Sequence, residues 1–213
     1  MPSLPKLLNR IGGVAAIEAA FSIEHPLVTS GAEVTVNGFR IVVEGKFFCR
    51  TCGLEVGNFV RWIEEDAREG VVVKHQVIEV AKDYRRKKIA WEHYKRAFAF
   101  YRSIGVSRVS LDANELGPYV WPSFNFNFNE REWKHMMLAW EQTWVVAGYE
   151  VPRWPSTAYE LTYMVGPSGD QIGEQIIREV HAGLGGGLKM NIDFNDSATI
   201  KSLLSVELLE DIL

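Results

Sequence analysis

The sequence predicts an α+β fold of α/β/α-like layering, with a mixed, mostly antiparallel central sheet and flanking helices. Three observations predict it. Residues 33–45, "EVTVNGFRIVVEG", form the best hairpin signal in the chain, and two further β-rich runs follow directly. At Arg86 the apolar period then changes from that of a strand to that of a helix. Finally, "VSRVSLDA" alternates as a strand after that helix, so residues 71–113 read strand–helix–strand. Such a unit returns through a right-handed crossover, which makes its two strands parallel.

Each element has its own local reason. Residues 5–22 carry Leu8, Ile11, Ala15 and Phe21 at helical spacing, with Gly12-Gly13 weakening the middle and His25-Pro26 closing the helix. Asn37-Gly38 is the preferred type I′ pair for the first hairpin. "GNFVRWIEED" and "GVVVKHQVIEV" are strands separated by an acidic turn from Asp66 to Gly70. A helix over residues 86–103 presents Ala90, Tyr94, Ala97, Phe98 and Tyr101 on one face, and Gly105 stops it. "NEREWKHMMLAWEQTWVVAGY" is helical, with Trp133, Met136, Met137, Trp140 and Trp144 on a face that reads as core. Beyond Tyr149, residues 151–169 are turn-rich, 170–184 helical, "LKMNIDF" a strand and 198–213 helical. Residues 1–150 are expected to hold the main domain. Residues 151–213 either complete it or add a small α/β extension.

Composition excludes several classes. The 213 residues are 47% hydrophobic and 23% charged, an ordinary globular balance. A net charge of −4 leaves no face-wide basic excess for phosphate contacts, so a nucleic-acid partner is not expected. No run of about 18 apolar residues occurs, and Glu18 interrupts the apolar part of the N-terminus; the expectation is a cytoplasmic protein without a membrane partner. Cys49 and Cys52 have no second pair to complete a zinc site, and they lie between strand-like runs. They read as two reduced cysteines in or beside the sheet, and no metal is expected.

The chemistry gathers at Arg85-Arg86-Lys87-Lys88, four cations at the start of a helix. A helix N-terminus is its electropositive end and normally attracts acids. A strand running into a helix also directs several backbone N–H groups at one spot, which makes an anion site. Cations there suit a polyanion such as a diphosphate; the plainer reading is a solvated basic turn.

Residues 78–126 resemble the central part of the GNAT superfamily, the acyl-CoA-dependent N-acyltransferases. That family's pyrophosphate loop reads roughly V-x-P-x-x-[RQ]-G-x-G-x-[GA], and Val80, Arg85 and Ala90 stand at its strand end, Arg/Gln and closing small positions. "FYRSIGVSRVSL" is similar to the family's helix end and next strand. Asn114, Gly117, Val120, Trp121 and Asn125-Phe126 follow the motif after it without a gap. The resemblance implies a GNAT-type sheet with a splayed parallel strand pair that takes acetyl-CoA or another acyl-CoA as co-substrate. It implies that Arg85, Arg86, Lys87, Lys88, Ile89 and Ala90 hold the pyrophosphate, and that Ile78 and Val80 pair with the pantetheine arm. Asn114 and Trp121 complete the implied binding set. His75 or Glu79 would be the base, four residues apart and so on one face of a regular strand.

Two departures are informative. Arg86 and Lys88 replace loop glycines, residues used where the backbone adopts positive φ or closely approaches a ligand. Inside a regular helix, Lys88→Gly would weaken the helix start by up to about 1 kcal/mol. Trp121 holds the slot of the family's usual tyrosine acid, a role an indole cannot fill, which makes Tyr119 the candidate acid. Two readings follow. One is an acyltransferase acting on a small-molecule or peptide amine, from acyl-CoA or an acyl-pantetheine carrier. The other is a GNAT-fold binding or assembly protein without the chemistry. A homodimer stays open under both.

Overall fold

A computed structural model describes residues 4–196 apart from 115, 116 and 167, and of Leu4 and Tyr119 the backbone alone. The expected helix over 198–213 lies outside the described residues. The strands run across the sheet in the order β1 (Val28–Asn37), β2 (Arg40–Cys49), β3 (Glu55–Asp66), β4 (Gly70–Val80), β5 (Val106–Ala113), β7 (Leu188–Asp193) and β6 (Asn127–Phe128), antiparallel except for the parallel pair β4–β5, as the strand–helix–strand spacing predicts. The chain forms two compact units, one of residues 4–109 and 193–196, the other of residues 110–192.

In the first unit, α1 (Leu4–Arg10) and α2 (Gly13–Phe21) replace the single expected helix. Gly12 and Gly13 both take positive φ, 89° and 79°, so the pair breaks the helix outright. β1 (Val28–Asn37) and β2 (Arg40–Cys49) form the expected hairpin, but Asn37 pairs with Arg40. The two-residue turn is therefore Gly38-Phe39, one place later than expected. Only Gly38 has positive φ, which is the type II′ requirement and not that of type I′. β3 (Glu55–Asp66) and β4 (Gly70–Val80) continue the meander. After a 3-10 turn at Lys82–Tyr84 comes α3 (Ile89–Ser103), three residues shorter at its start than its periodicity predicts. Gly105, at φ 70°, ends it and leads into β5 (Val106–Ala113). Ser107 Oγ donates to the Val71 carbonyl at 3.0 Å, tying the start of β5 to the start of β4.

β4 is not a regular strand. Val60 pairs with Val77 and Arg61 with His75, leaving Gln76 as the extra residue of a bulge. The bulge reverses the side-chain parity beyond it. Phe59, Arg61 and Ile63 face the core, so their partners Ile78, His75 and Val73 do too, while Glu79 goes to the opposite face with Asn58. The expectation that His75 and Glu79 share a face is thereby corrected.

The core of this unit is aromatic and polar at once. Phe21, Phe47, Phe59, His93, Tyr94 and Tyr101 are all at most 1% exposed, and Arg61 is fully buried among them. Its Nη1 donates to the Val60 carbonyl at 2.8 Å and to the Val77 carbonyl, and its Nη2 to the Tyr94 hydroxyl at 3.3 Å. Arg61 forms no ion pair among the described residues. The guanidinium instead lies 5.5 Å from the Tyr94 ring centroid and 5.7 Å from that of Phe59, within cation–π range. The His93 ring lies 4.2 Å from that of Phe59, tilted by 45°, and neither of its ring nitrogens has a hydrogen-bond partner among the described residues.

The second unit starts with the latter half of β5. It continues through α4 (Gly117–Val120), a 3-10 turn at Trp121–Phe124 and β6 (Asn127–Phe128). α5 (Glu130–Val146) is capped by the Asn129 side chain, which accepts from the Arg131 and Glu132 amides. Met136, Trp140 and Trp144 are buried as expected, whereas Met137 is exposed. The turn-rich stretch contains an unexpected short helix, α6 (Ala158–Thr162), capped by Thr157. α7 (Ile172–Leu184) crosses it closely: a Cβ on Gly173 would sit 1.6 Å from the Leu161 carbonyl oxygen, so only glycine fits. β7 (Leu188–Asp193) pairs antiparallel with β6. No helix among the described residues is long and apolar enough to cross a membrane.

Burial and the Arg61 charge hold the titration of both His75 and His93 well below the ordinary histidine range, burial being the larger cause. Above about pH 6.5 both are neutral folded and unfolded; below it the unfolded chain binds protons that the folded chain refuses. Each histidine therefore lowers stability by up to about 1.4 kcal/mol per pH unit as pH falls, until its depressed folded value is reached. His93→Phe is expected to remove one of these two contributions to the slope below about pH 6.5. It should also raise stability by roughly 1 kcal/mol at neutral pH, because an unpaired buried polar ring is lost. Urea unfolding of parent and variant between pH 7.5 and 5 checks both; an unchanged slope would refute the buried-histidine account.

Candidate functional site

The site begins where β4 ends. Ala81 N–H donates to the Val56 carbonyl at 2.7 Å, holding the strand exit, and the 3-10 turn then carries the chain into Arg85. Arg85 Nε donates back to the Val80 carbonyl at 2.9 Å. This bond clips the loop onto the strand and engages one of the two backbone positions expected to face pantetheine.

Arg85, Arg86, Lys87 and Lys88 are all exposed. Arg86 and Lys88 both have φ 59°, and with Asn125 they are the described non-glycine residues in the left-handed region. These are the two positions where the resemblance calls for glycine. The chain has kept the backbone conformation and changed the residue, at a cost of about 1–2 kcal/mol for each L-residue held there. Lys88 is also the residue before α3, and it makes no side-chain cap bond, so the amides of the first helical turn face outward without a capping oxygen. The four cations thus lie next in sequence to an uncapped helix start, and outward-facing first-turn amides are the kind of group that can take anionic oxygens. Lys87 Nζ lies 5.4 Å from the Tyr84 ring centroid, which directs that side chain back over the 3-10 turn.

Glu79 lies exposed on β4, and Asn58 Nδ2 donates to its Oε2 at 3.4 Å. His75 is 4% exposed, and its Nε2 is 3.0 Å from the Tyr101 hydroxyl inside the core. The two candidate bases are therefore in different environments: one in water, one in the aromatic interior. Ile78 and Val80 are half-buried on the inward face, Ile89 is buried and Ala90 half-buried at the start of α3.

In the second unit Asn114 follows β5 directly and is exposed, with Nδ2 donating to the Asp112 carbonyl at 3.4 Å. Trp121 packs its ring against Phe126 (5.3 Å) and Phe124 (5.9 Å). A Cβ on Gly117 would meet its indole nitrogen at 2.8 Å, so the glycine makes room for it. The Tyr119 side chain lies outside the described residues.

Sequence reasoning missed Arg61. Its signal was legible: in the alternation Phe59, Arg61, Ile63 the arginine occupies the core-facing phase of a strand.

Among solved structures, the chain is similar to Arabidopsis thaliana Naa50 in complex with the bisubstrate analogue CoA-Ac-MVNAL, with a TM-score of 0.36 and 14% identity over 41% of this chain and 58% of that one. It is similar to nourseothricin acetyltransferase, at TM-score 0.35 and 15% identity over 60% of this chain and 81% of that one. A tandem GNAT protein from the clavulanic acid biosynthesis pathway, without AcCoA, matches at TM-score 0.36 and 11% identity over 82% of this chain and 71% of that one. The chain spans little more than half the length of the Arabidopsis structure. No family model and no curated protein matches.

The left-handed backbone reverses the expectation for Lys88→Gly. Glycine relieves a left-handed penalty of about 1–2 kcal/mol and gives back roughly 0.5–1 kcal/mol in chain entropy. Lys88→Gly and Arg86→Gly are each expected to stabilise the protein by about 0.5–1 kcal/mol in chemical denaturation. Destabilisation by either would show that the side chain matters more than its backbone.

Proposed function

We propose that the protein is a divergent GNAT-type acyltransferase, which moves an acyl group from acetyl-CoA or another acyl-CoA to an amine. The observation that carries the reading is the loop after β4: an uncapped helix start flanked by four cations, with Arg86 and Lys88 holding the left-handed backbone where the resembled motif has glycines. A solvated basic turn gives no reason to maintain two strained residues. An acyl-pantetheine carrier remains the alternative donor, and a small molecule or peptide the acceptor.

The residues present fit a diphosphate. In this reading the first-turn amides of α3, at Ile89 and Ala90, take the phosphate oxygens, while Arg86, Lys87 and Lys88 neutralise their charge. Arg85 braces the loop through Val80 and lends its remaining guanidinium donors. Ile78 and the amide side of Val80 offer backbone to the pantetheine arm, with Asn114 and Trp121 in supporting roles. Bound acyl-CoA supplies an activated thioester.

The amine must lose a proton as it attacks. Of the two candidate bases Glu79 is the one open to solvent; His75 is enclosed and engaged with Tyr101, so in this reading it shapes the core under the strand. Asn58 then orients the Glu79 carboxylate. As the C–N bond forms the C–S bond breaks, and the departing thiolate takes a proton, with Tyr119 as the candidate donor. Residues 151–213 complete the domain in this proposal, a reading supported by a strand order with β7 between β5 and β6. A cytoplasmic setting belongs to the same proposal.

Thermal unfolding with acetyl-CoA, longer acyl-CoAs and free CoA tests the binding. A ligand at about 100 times its Kd stabilises by ~2.7 kcal/mol, an easily measured shift. Arg85→Ala with Lys88→Ala should abolish most of that shift, at about 1.5–3 kcal/mol per lost charged hydrogen bond. The same double substitution should matter less for CoA analogues lacking a phosphate. A folded parent that responds to none of these ligands would overturn the proposal in favour of a binding or assembly protein.

Catalysis is tested separately. Glu79→Gln is expected to lower turnover by about 10²–10⁴-fold and leave the CoA-induced thermal shift intact. Unchanged turnover would remove Glu79 from the mechanism.

A further inference from the structure

β1 is an edge strand of the sheet, and its outer side is covered only at its start. His25 and Val28 exchange backbone hydrogen bonds of 3.0 and 3.2 Å, and the Ser30 amide donates to the Ile23 carbonyl at 3.1 Å. Residues 23–25 thus line the edge as far as Ser30. The same bonds fix which backbone groups look outward. Asn37 and Arg40 close the two-residue turn, so the odd-numbered residues of β1 exchange hydrogen bonds with β2 and the even-numbered ones point away from it. Beyond Ser30 the N–H and C=O groups of Ala32, Val34 and Val36 therefore face outward. None of these groups has a hydrogen-bond partner among the described residues.

This part of the edge is unguarded. Natural edge strands are blunted by proline, by lysine, by a bulge or by being short. β1 has ten residues with neither proline nor lysine, and its ladder with β2 runs without a register shift. Val36, at 54% exposure, and Phe39, at 66%, leave apolar surface beside the free groups.

The free window is also self-complementary. Its midpoint is Val34, with Ser30 already paired on one side and the turn on the other. A two-fold axis at Val34 sets that residue opposite Val34 of an antiparallel second copy, and Ala32 opposite Val36. Those hydrogen-bonded pairs use every free group of the window. The three side chains share the face on which Val28 and Ser30 are buried, so the new cross-strand pairs extend an apolar surface. On the other face Glu33 stands opposite Thr35 of the second copy, and no like charges meet across the seam. The opposite edge of the sheet, β6, is two residues long and offers no comparable template. Pairing through β1 is isologous and closes after two copies.

We propose that β1 is a homodimerisation edge: two copies of the chain pair antiparallel through residues 32–36, about a two-fold axis at Val34, into one continuous sheet. This holds whether or not the chain transfers acyl groups. The seam is short and falls below the roughly 1,200–2,000 Å² of a stable interface, so the dimer is reversible and concentration-dependent.

Sedimentation velocity of the full chain between about 1 µM and about 1 mM, the span of weak association, should show monomer passing into dimer. Val34→Pro should stay folded and monomeric throughout. It removes an outward N–H that β2 does not use, at a place where edge strands tolerate proline. If that variant fails to fold, Val34→Lys gives the same readout by setting two cations face to face at the axis. Cysteine cross-linking reads the register, in a Cys52→Ser background because Cys52 is exposed. In Val34→Cys the paired Cα atoms stand about 5.5 Å apart, within disulfide reach, and mild oxidation should give covalent dimer. Glu33→Cys, whose two copies lie diagonally across the seam, should cross-link far less. Four results would overturn the proposal. They are a parent monomeric even at about 1 mM, a dimer that persists in the folded Val34 variants, Glu33→Cys cross-linking as well as Val34→Cys, and association that runs past the dimer into open-ended assemblies.

Discussion

The bond from the buried Arg61 guanidinium to the carbonyls of Val60 and Val77 is the constraint on which the first unit depends. A bulge at Gln76 removes one residue from the β3–β4 ladder and leaves strand carbonyls without their regular partners. A carbonyl unpaired in the interior costs roughly 1–3 kcal/mol, and a planar guanidinium with five donors can serve two of them at once. Lysine could not reproduce that geometry. Burying the charge is itself expensive, and no carboxylate offsets it among the described residues. The compensation comes from the Tyr94 hydroxyl and from the ring faces of Phe59 and Tyr94. This explains the two suppressed histidines: beside a fixed positive charge in a dry core, neither His75 nor His93 can also be cationic.

The bulge matters for the candidate site because it decides which residues of β4 look outward. Without it, His75 and Glu79 would share a face, and both would be core or both solvent. With it, His75 enters the aromatic interior and Glu79 stays in water. The bend also sets where the strand delivers the chain to the basic loop, since Val80, the last residue of β4, is the one that Arg85 grips. Arg61 is therefore a structural determinant of a site to which it contributes no atom.

Much of the fold was legible in the residues, because hydrophobic periodicity reports burial directly. β5 was bounded to the residue by "VSRVSLDA", and the tryptophan stripe of α5 was read as core. What escaped depends on backbone detail that periodicity does not encode. The bulge at Gln76 carries no Gly or Pro to announce it. The Gly38-Phe39 turn differs from Asn37-Gly38 by one register step, a choice made by the pairing of both strands rather than by the dipeptide. α6 is too short for a period to show. At the candidate site the cluster of cations was plain in the sequence, and its left-handed geometry was not, because Arg and Lys do not advertise positive φ as glycine does.

Glycine would hold the loop's shape with less strain, so the cations at positions 86 and 88 need a physical reason. Two left-handed L-residues cost a few kcal/mol together, a large share of a typical domain's stability. Four adjacent positive charges add mutual repulsion at the electropositive end of α3. Both penalties fall on the unliganded protein, and an anionic partner relieves only the second. A diphosphate seated against the loop would turn repulsion into attraction without moving the backbone, since the conformation is already in place. In the proposed reading the loop would combine a shape fixed before binding with a charge that a bound anion would balance. Preorganisation of this kind puts the conformational cost into the fold and leaves the electrostatic gain to the ligand.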